Sequence, residues 1–209
     1  MTDQILNDNE LITDETKLQI AQHFLLSSPP GQFQEVLSDV KRLLPENLLS
    51  ESLSAGMSRA YNLKHGKIVT SPSGNKVPLC AASELDPTHY IDPNNSKAFG
   101  IDHLSLTTTT DPRAGNTESS LEKEREAIQA ALCTYISGKY LATDSGGGAF
   151  IKDNTIFVTI CGEKPNLRNF WSGRFHSSWT VNMSSECAHI SGEIKVYAHY
   201  FEDGNVQLQ

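Results

Sequence analysis

The period of the hydrophobic pattern changes about a third of the way along this chain. Up to residue 63 apolar residues recur at helical spacing, and Phe33, Val36, Leu37, Val40 and Leu44 occupy positions i, i+3, i+4, i+7 and i+11. Most of the remaining sequence consists of short alternating runs bounded by turn residues, which is typical of β-strands. A chain whose helices largely precede its strands is predicted to be an α+β protein.

Three helices are predicted within residues 1–64. The first ends at Pro29-Pro30-Gly31, and the second ends near Leu44 because a proline at the next position disfavours helical geometry in the residue before it. A third helix is predicted from Pro45 to about Tyr61, with the proline in the first turn, where its missing N–H is harmless. The short connections predict that neighbouring helices run antiparallel, as one N-terminal three-helix antiparallel unit.

A small central strand region is predicted over residues 65–110. The segment KIVTSPSGNKVPLC is typical of two strands that flank a turn, since Gly and Asn tolerate positive φ angles. A further strand is predicted from Ala98 to Leu106. The segments TTTT and DPRAGNTE are predicted to be low-complexity connections that lead into the next helix.

The third predicted region, residues 111–209, is an antiparallel sheet with a packed helix. The helix is expected over residues 121–140, with an apolar stripe centred on Leu132 and an end near Gly138. Four strand-like segments follow, at residues 149–152, 155–161, 175–181 and 194–200. Asp153-Asn154 separates the first two as a two-residue hairpin turn. One face of such a sheet must be covered, and the helix can cover part of it.

Charge and hydropathy argue against several classes of function. Lys and Arg number 17 against 25 Asp and Glu, which gives a formal net charge of −8. Nucleic acid and anionic membranes are therefore not expected as partners. The acidic, polar N-terminal residues have no apolar region typical of a secretory signal, and no run of 18 apolar residues occurs. We expect a cytoplasmic protein without a transmembrane segment.

No catalytic, cofactor or metal site is predicted. The sequence lacks the GxSxG, HExxH, P-loop and Rossmann patterns. The Gly-rich segment from Ser145 to Phe150 has no following Lys, so a flexible entry to a hairpin is favoured over a phosphate cradle. His176, His189 and His199 follow no ligand spacing, and a metal site is not expected there. The chain is therefore predicted not to be an enzyme.

An aromatic cluster is the most unusual local feature. The segment NFWSGRFHSSW places Phe170, Trp171, Phe175 and Trp179 within eleven residues, around Gly173-Arg174. Such a cluster is typical either of core beneath a sheet or of the anchor of a protein interface, where aromatic and Arg side chains are enriched. The sequence leaves both alternatives open.

Three segments resemble one known family. HFLLSSPPGQFQEVLSDVKRLL (residues 23–44), NFWSGRFHSSW (169–179) and AHYFEDGNVQL (198–208) are similar to motifs of the α subunit of the F-actin capping protein. The last of them resembles the family signature VHYYEDGNV, with Ala198 where Val is usual. The resemblance extends from about residue 17 to 209 in consistent order.

The resemblance implies a calcium-independent actin-binding protein of the cytoskeleton. Such a protein pairs with a β subunit as a heterodimer and blocks the filament barbed end sterically; a homodimer and capping-protein regulators are further expected partners. The family's last long strand, long helix and tentacle, which hold most actin determinants, are expected beyond Gln209, so no residue here is assigned to actin. A module that only dimerises, and caps weakly, is the alternative. The candidate subunit contacts are Phe170, Trp171, Trp179, Ile194, Val196, Tyr197 and Tyr200.

Overall fold

The computed structural model describes residues 12–115, 119–140, 144–165, 171–184, 187–200 and 206–208. The helices are α1 Asp14–Leu26, α2 Phe33–Leu43, α3 Glu51–His65 and α4 Glu122–Lys139. The first strands are β1 Ile68–Thr70, β2 Lys76–Pro78, β3 Glu84–Asp86, β4 His89–Asp92, β5 Lys97–Ile101 and β6 Thr108–Ala114. The remaining strands are β7 Asp144–Lys152, β8 Thr155–Lys164, β9 Trp171–Met183, β10 Ala188–Tyr200 and β11 Val206–Leu208.

The predicted α+β class is confirmed. Three helices come first, then the β1-β2 hairpin and a sheet of order β3-β4-β5-β6, and finally α4 with a sheet of order β11-β10-β9-β8-β7. All strand pairs are antiparallel. The predicted turn at Asp153-Asn154 is also confirmed, since both residues have positive φ and Lys152 pairs with Thr155 across it. None of the described helices meets the length and hydropathy needed to cross a membrane.

The helical region has its own core, and its third helix begins later than predicted. α1 packs against both α2 and α3 around a cluster that includes Leu25, Leu37 and Tyr61. α3 starts at Glu51 and not at Pro45, because the Ser50 hydroxyl accepts a hydrogen bond from the Leu53 N–H at 3.2 Å and caps the helix. The helix continues to His65 and ends at Gly66, whose left-handed backbone conformation caps it.

Two predictions in the central region are wrong. The strand expected from Ala98 to Leu106 ends at Ile101, since the Asp102 carboxylate accepts the Leu104 N–H at 2.9 Å and turns the chain. The threonine-rich segment that follows is strand β6 and not an irregular connection. Its β-branched side chains suit a strand, and it pairs with β5 at the edge of the four-stranded sheet.

The Gly-rich segment is part of strand β7 and not a flexible hairpin entry. Gly146 and Gly147 pair with Cys161 and Ile160 of β8 in regular antiparallel register. A Cβ on Gly147 would lie 2.6 Å from Cδ1 of Ile136 on α4, so a larger residue would push the helix away from the sheet. The glycines therefore let neighbouring elements approach β7 closely.

Candidate partner interface on the five-stranded sheet

One half of the five-stranded sheet is covered by α4. The helix packs chiefly on β7, and Ala149, Ile156 and Val181 form a buried cluster on the face beneath it. Leu121, just before the helix, and Ile128, on the helix, pack against this cluster. Here the predicted helix-on-sheet packing is realised, and the apolar face is removed from water.

The other half of the same face carries large apolar side chains that are exposed. We define the open sheet surface as Trp171, Ile190, Ile194 and Val196, with Trp179 and Tyr200 half-buried beside them. The register places Ile190 directly opposite Val181, so these residues continue the face that α4 covers. Ile194 and Val196 are each 62% exposed. Exposed apolar surface of this extent is typical of a site for protein association.

Strand β10 also has an open edge. It pairs with β9 along its full length, from Ala188 to Tyr200, whereas β11 pairs only with its last three residues, Ala198 to Tyr200. Within the described parts of the chain, no strand lies beside residues 188–197 on that side. An unpaired row of backbone N–H and C=O groups is a template for another strand. The open edge and the open sheet surface therefore lie together on β10.

The structure separates the predicted interface residues into three groups. Five of them, Trp171, Trp179, Ile194, Val196 and Tyr200, share one face of the sheet. The Trp171 and Tyr200 rings also contact each other, with centroids 4.7 Å apart. Tyr197 lies on the opposite face, while Phe170 is outside the described residues. Contact with a partner subunit stays a prediction for all of them.

Sequence reasoning missed Ile190. Ile190 fits the alternation of Ile194 and Val196, but Gly192 lies between Ile190 and Ile194, and the predicted strand begins only at Ile194. In the structure β10 runs through Gly192, which pairs with Trp179. A Cβ on Gly192 would lie 2.5 Å from the Trp179 ring, so the glycine makes room for the indole on the neighbouring strand.

The opposite face of β9 and β10 holds a buried polar cluster against the helices. Arg174 donates to the Ser28 carbonyl oxygen at 2.5 Å and to the Tyr61 hydroxyl at 3.2 Å. Its guanidinium carbon lies 5.5 Å from the Tyr61 ring centroid and 6.0 Å from that of Tyr197. Burial and, secondly, the Arg174 charge lower the pKa of nearby His65 to about 3. Tyr197 is therefore part of a link between the sheet and the helices.

The three histidines considered for a metal site differ in burial. His199 is buried, His176 is half-buried and His189 is exposed. Among the residues that the structure describes, no group of three or more His, Cys, Asp or Glu side chains could hold a metal ion.

Comparison with known proteins gives a consistent picture. The sequence matches the profile of a family described as "F-actin capping protein alpha subunit" over residues 21–209. The chain is 31% identical to an F-actin-capping protein subunit alpha of Dictyostelium discoideum over 205 residues, 95% of this chain and 72% of that protein. It is 32% identical to the corresponding subunit of Caenorhabditis elegans over 204 residues, which cover 94% and 71% of the two chains.

A solved structure has the same fold. It is the structure of the homodimeric actin capping protein alpha subunit from Plasmodium berghei, with a TM-score of 0.71 and 23% sequence identity. The similarity covers 92% of this chain and 78% of that chain.

Proposed function

Because the chain belongs to the family of F-actin capping protein alpha subunits, we propose that it is one subunit of a dimer that binds filament barbed ends. The dimer blocks the end sterically, so that actin monomers can neither add nor leave. Binding is calcium-independent and involves no catalysis, cofactor or metal. The protein acts in the cytoplasm, at the actin cytoskeleton, where capping-protein regulators are further partners.

The observation that carries this proposal is the open sheet surface beside the open edge of β10. A partner that adds a strand at residues 188–197 would satisfy backbone groups, while the same partner would cover Ile190, Ile194 and Val196. We propose a capping-protein β subunit as that partner and a second copy of this chain where β is absent. Trp171, as an exposed aromatic residue, is the expected anchor of the contact.

Burial of this surface would be substantial in energy terms. Each large apolar side chain that moves from water to a packed interface contributes about 1.5–3 kcal/mol before the cost of association is subtracted. Three aliphatic side chains and one indole are therefore enough to dominate the stability of a dimer. Loss of these side chains should separate the subunits without unfolding them, because each is largely exposed in the isolated chain.

The test is elongation of actin from filament seeds with free barbed ends. The 209-residue chain is co-expressed with a capping-protein β subunit, and the purified complex is added at increasing concentration. We expect elongation to stop, with the same concentration dependence in calcium and in a calcium chelator. Free elongation in the presence of a stable complex would contradict capping by this chain.

A second function is favoured by the same open edge. The chain could serve as a structural module that pairs with the β subunit, or with itself, and caps only weakly. In that case the complex elutes as a dimer in size-exclusion chromatography but leaves seeded elongation unchanged. If the chain forms no dimer and does not inhibit elongation, both functions are contradicted.

We also propose a division into three units. The N-terminal helical unit covers residues 1–64, the small strand region 65–110 and the dimerisation region 111–209. The separate helical core around Leu25 and the cluster around Ile156 support the first and third units. The boundary at residue 110 falls inside β6, so limited proteolysis should cut beside that strand, and between α3 and β1, before it cuts within the units. Earlier cleavage inside α4 or β9 would contradict the division.

A further inference from the structure

Arg174 is a buried cation with neutral partners. Its side chain is 8% exposed, and its two hydrogen bonds go to a backbone carbonyl, that of Ser28, and to the phenol of Tyr61. Its Nε–H is buried and has no hydrogen-bond partner. Removing a guanidinium from water without a counter-charge is costly in free energy. The question at this position is therefore which group balances the charge of Arg174.

The acidic residue that pairs with Arg174 in the sheet register already has other partners. Glu163 lies opposite Arg174 in the β8-β9 register. One of its carboxylate oxygens accepts the Gly31 N–H, and the other accepts from Lys67 Nζ at 2.7 Å. Of the ion pairs formed by described residues, Glu163 contributes one to Lys67 and none to Arg174. The Glu163 charge is therefore balanced by Lys67, and no other described acidic side chain forms an ion pair with Arg174.

A cavity of about 60 Å³ adjoins Arg174. Among the described residues of its wall, two side chains, those of Arg174 and Lys64, are cationic and none is acidic. Four separate parts of the chain meet there: the turn at residues 27–30, the end of α3, strand β9 and the end of β10 at residues 197–199. The turn, β9 and the end of β10 lie in or next to the three segments by which the sequence resembles its family. The volume exceeds the roughly 10–15 Å³ that one water-sized particle requires.

The other polar groups that the structure describes in this wall do not supply a negative charge. His65 donates from Nε2 to the Leu26 carbonyl oxygen at 3.2 Å, and its buried Nδ1 has no partner. Lys64 Nζ donates to the same carbonyl oxygen at 3.0 Å and is otherwise exposed. The pKa of His65 is lowered by burial first and by the Arg174 charge second, which agrees with a positive potential in this region.

We propose that this cavity is a binding site for a small monovalent anion of the size of chloride, held chiefly by Arg174 and Lys64. The anion balances the buried guanidinium at the junction of the turn at residues 27–30, α3, β9 and β10. It therefore stabilises the attachment of the sheet to the helices. This site is on the opposite face of the sheet from the open sheet surface, so it does not depend on the proposed capping function.

The first test is thermal unfolding of the full chain at constant ionic strength. Sodium chloride replaces sodium gluconate stepwise, which changes the small anion without changing screening. We expect the midpoint to rise saturably by roughly 2–4 °C, because a ligand that binds only the folded state stabilises it. Bromide should produce the same rise. A midpoint independent of chloride and bromide would overturn the proposal.

Two variants of equal charge change locate the effect. Lys64→Met removes an exposed cation at the cavity, whereas Lys123→Met removes an exposed cation on α4, on the other face of the sheet. Lys64→Met should shift the half-saturating chloride concentration upward several-fold, and Lys123→Met should leave it unchanged. Equal shifts in both variants would mean a general charge effect and would contradict a site at this cavity.

The direct test is a crystal structure of the unmodified chain grown in bromide. We expect an anomalous peak in the cavity, within contact distance of the Arg174 guanidinium. A water molecule there, with bromide found only elsewhere, would overturn the proposal. Because this measurement uses no substitution at Arg174, it does not depend on whether such a variant folds.

Discussion

The covered and open halves of the five-stranded sheet have similar side chains and different surroundings. Ile156 and Val181 beneath α4 are buried, while Ile190 and Ile194, further along the same face, are about 60% exposed. The sheet is therefore apolar across its width, and α4 covers only part of it. The comparison teaches that an apolar strand pattern reports which face must be buried, but not whether the cover comes from the same chain.

The largest expected effect is in the covered half. Ile156 is fully buried in the cluster under α4. Ile156→Ala should lower the free energy of unfolding by about 3 kcal/mol, since it removes three buried carbons and leaves a cavity. Urea denaturation of the isolated chain measures this loss. A loss below about 1 kcal/mol would mean that α4 does not hold the sheet as tightly as the packing indicates.

The next effect concerns association. The double variant Ile194→Lys with Val196→Lys places two charges on the open sheet surface. We expect the dissociation constant of the complex with a capping-protein β subunit to rise about 30–100-fold, which is roughly 2–3 kcal/mol. Leu43→Lys on α2 is the matched control, because Leu43 is also an exposed apolar residue but lies outside the sheet. Equal affinities for the two variants would place the interface elsewhere.

A smaller effect tests the face where the sheet meets the helices. The pKa of His65 is about 3 in the folded chain, below its ordinary value of 6.5, because of burial and then Arg174. The unfolded chain therefore binds a proton below pH 6.5 that the folded chain does not. Stability falls as the pH drops from 6.5 towards 3, by up to about 1.4 kcal/mol per pH unit. Among the residues that the structure describes, the other charged or titratable groups near His65 are Lys64, His176, Tyr61 and Tyr197.

The variant His65→Gln should reduce this acid sensitivity. Urea denaturation at several values between pH 6.5 and 4 gives the slope of stability against pH, and the slope should be shallower than in the unmodified chain. His189→Gln, at an exposed position on β10, should keep the original slope. Identical slopes in all three proteins would contradict the assignment to His65.

The smallest expected effect is in the open half of the five-stranded sheet. Ile194→Ala is the same chemical change as Ile156→Ala, made in the open half of the same sheet. Because Ile194 is 62% exposed, the isolated chain should lose no more than about 0.5 kcal/mol of stability. The two variants are compared by urea denaturation at one protein concentration. A loss similar to that of Ile156→Ala would mean that Ile194 is covered in the isolated chain.

Local sequence patterns predict the type of each secondary-structure element better than the residues at which it begins and ends. The stripe of Phe33, Leu37 and Val40 is buried in the helical core, as its spacing indicates. The start of α3 was misplaced because a proline in a first turn is equally compatible with the short turn that precedes a Ser cap. In β7 the glycines read as a flexible entry, since their role is defined by Ile136 on a distant helix.

The candidate interface was only partly predictable, for a related reason. Alternation identifies Ile194 and Val196 as members of one face. Tyr197 is one of the candidate contacts, but it lies on the other face, towards the helices. The sequence does not decide whether the aromatic cluster belongs to the core or to an interface. In the structure Trp171 is exposed and Trp179 is half-buried. The Arg174 cluster has no sequence signal, because its parts are separated by more than a hundred residues.

The most direct test of the central claim is amide hydrogen exchange along β10, with and without a capping-protein β subunit. The claim is that the open half of the sheet is covered by a partner. Residues 188–197 should then become strongly protected in the complex, while β7, under α4, should change little. A stable complex in which β10 exchanges as fast as in the isolated chain would contradict the claim and place the partner on another surface.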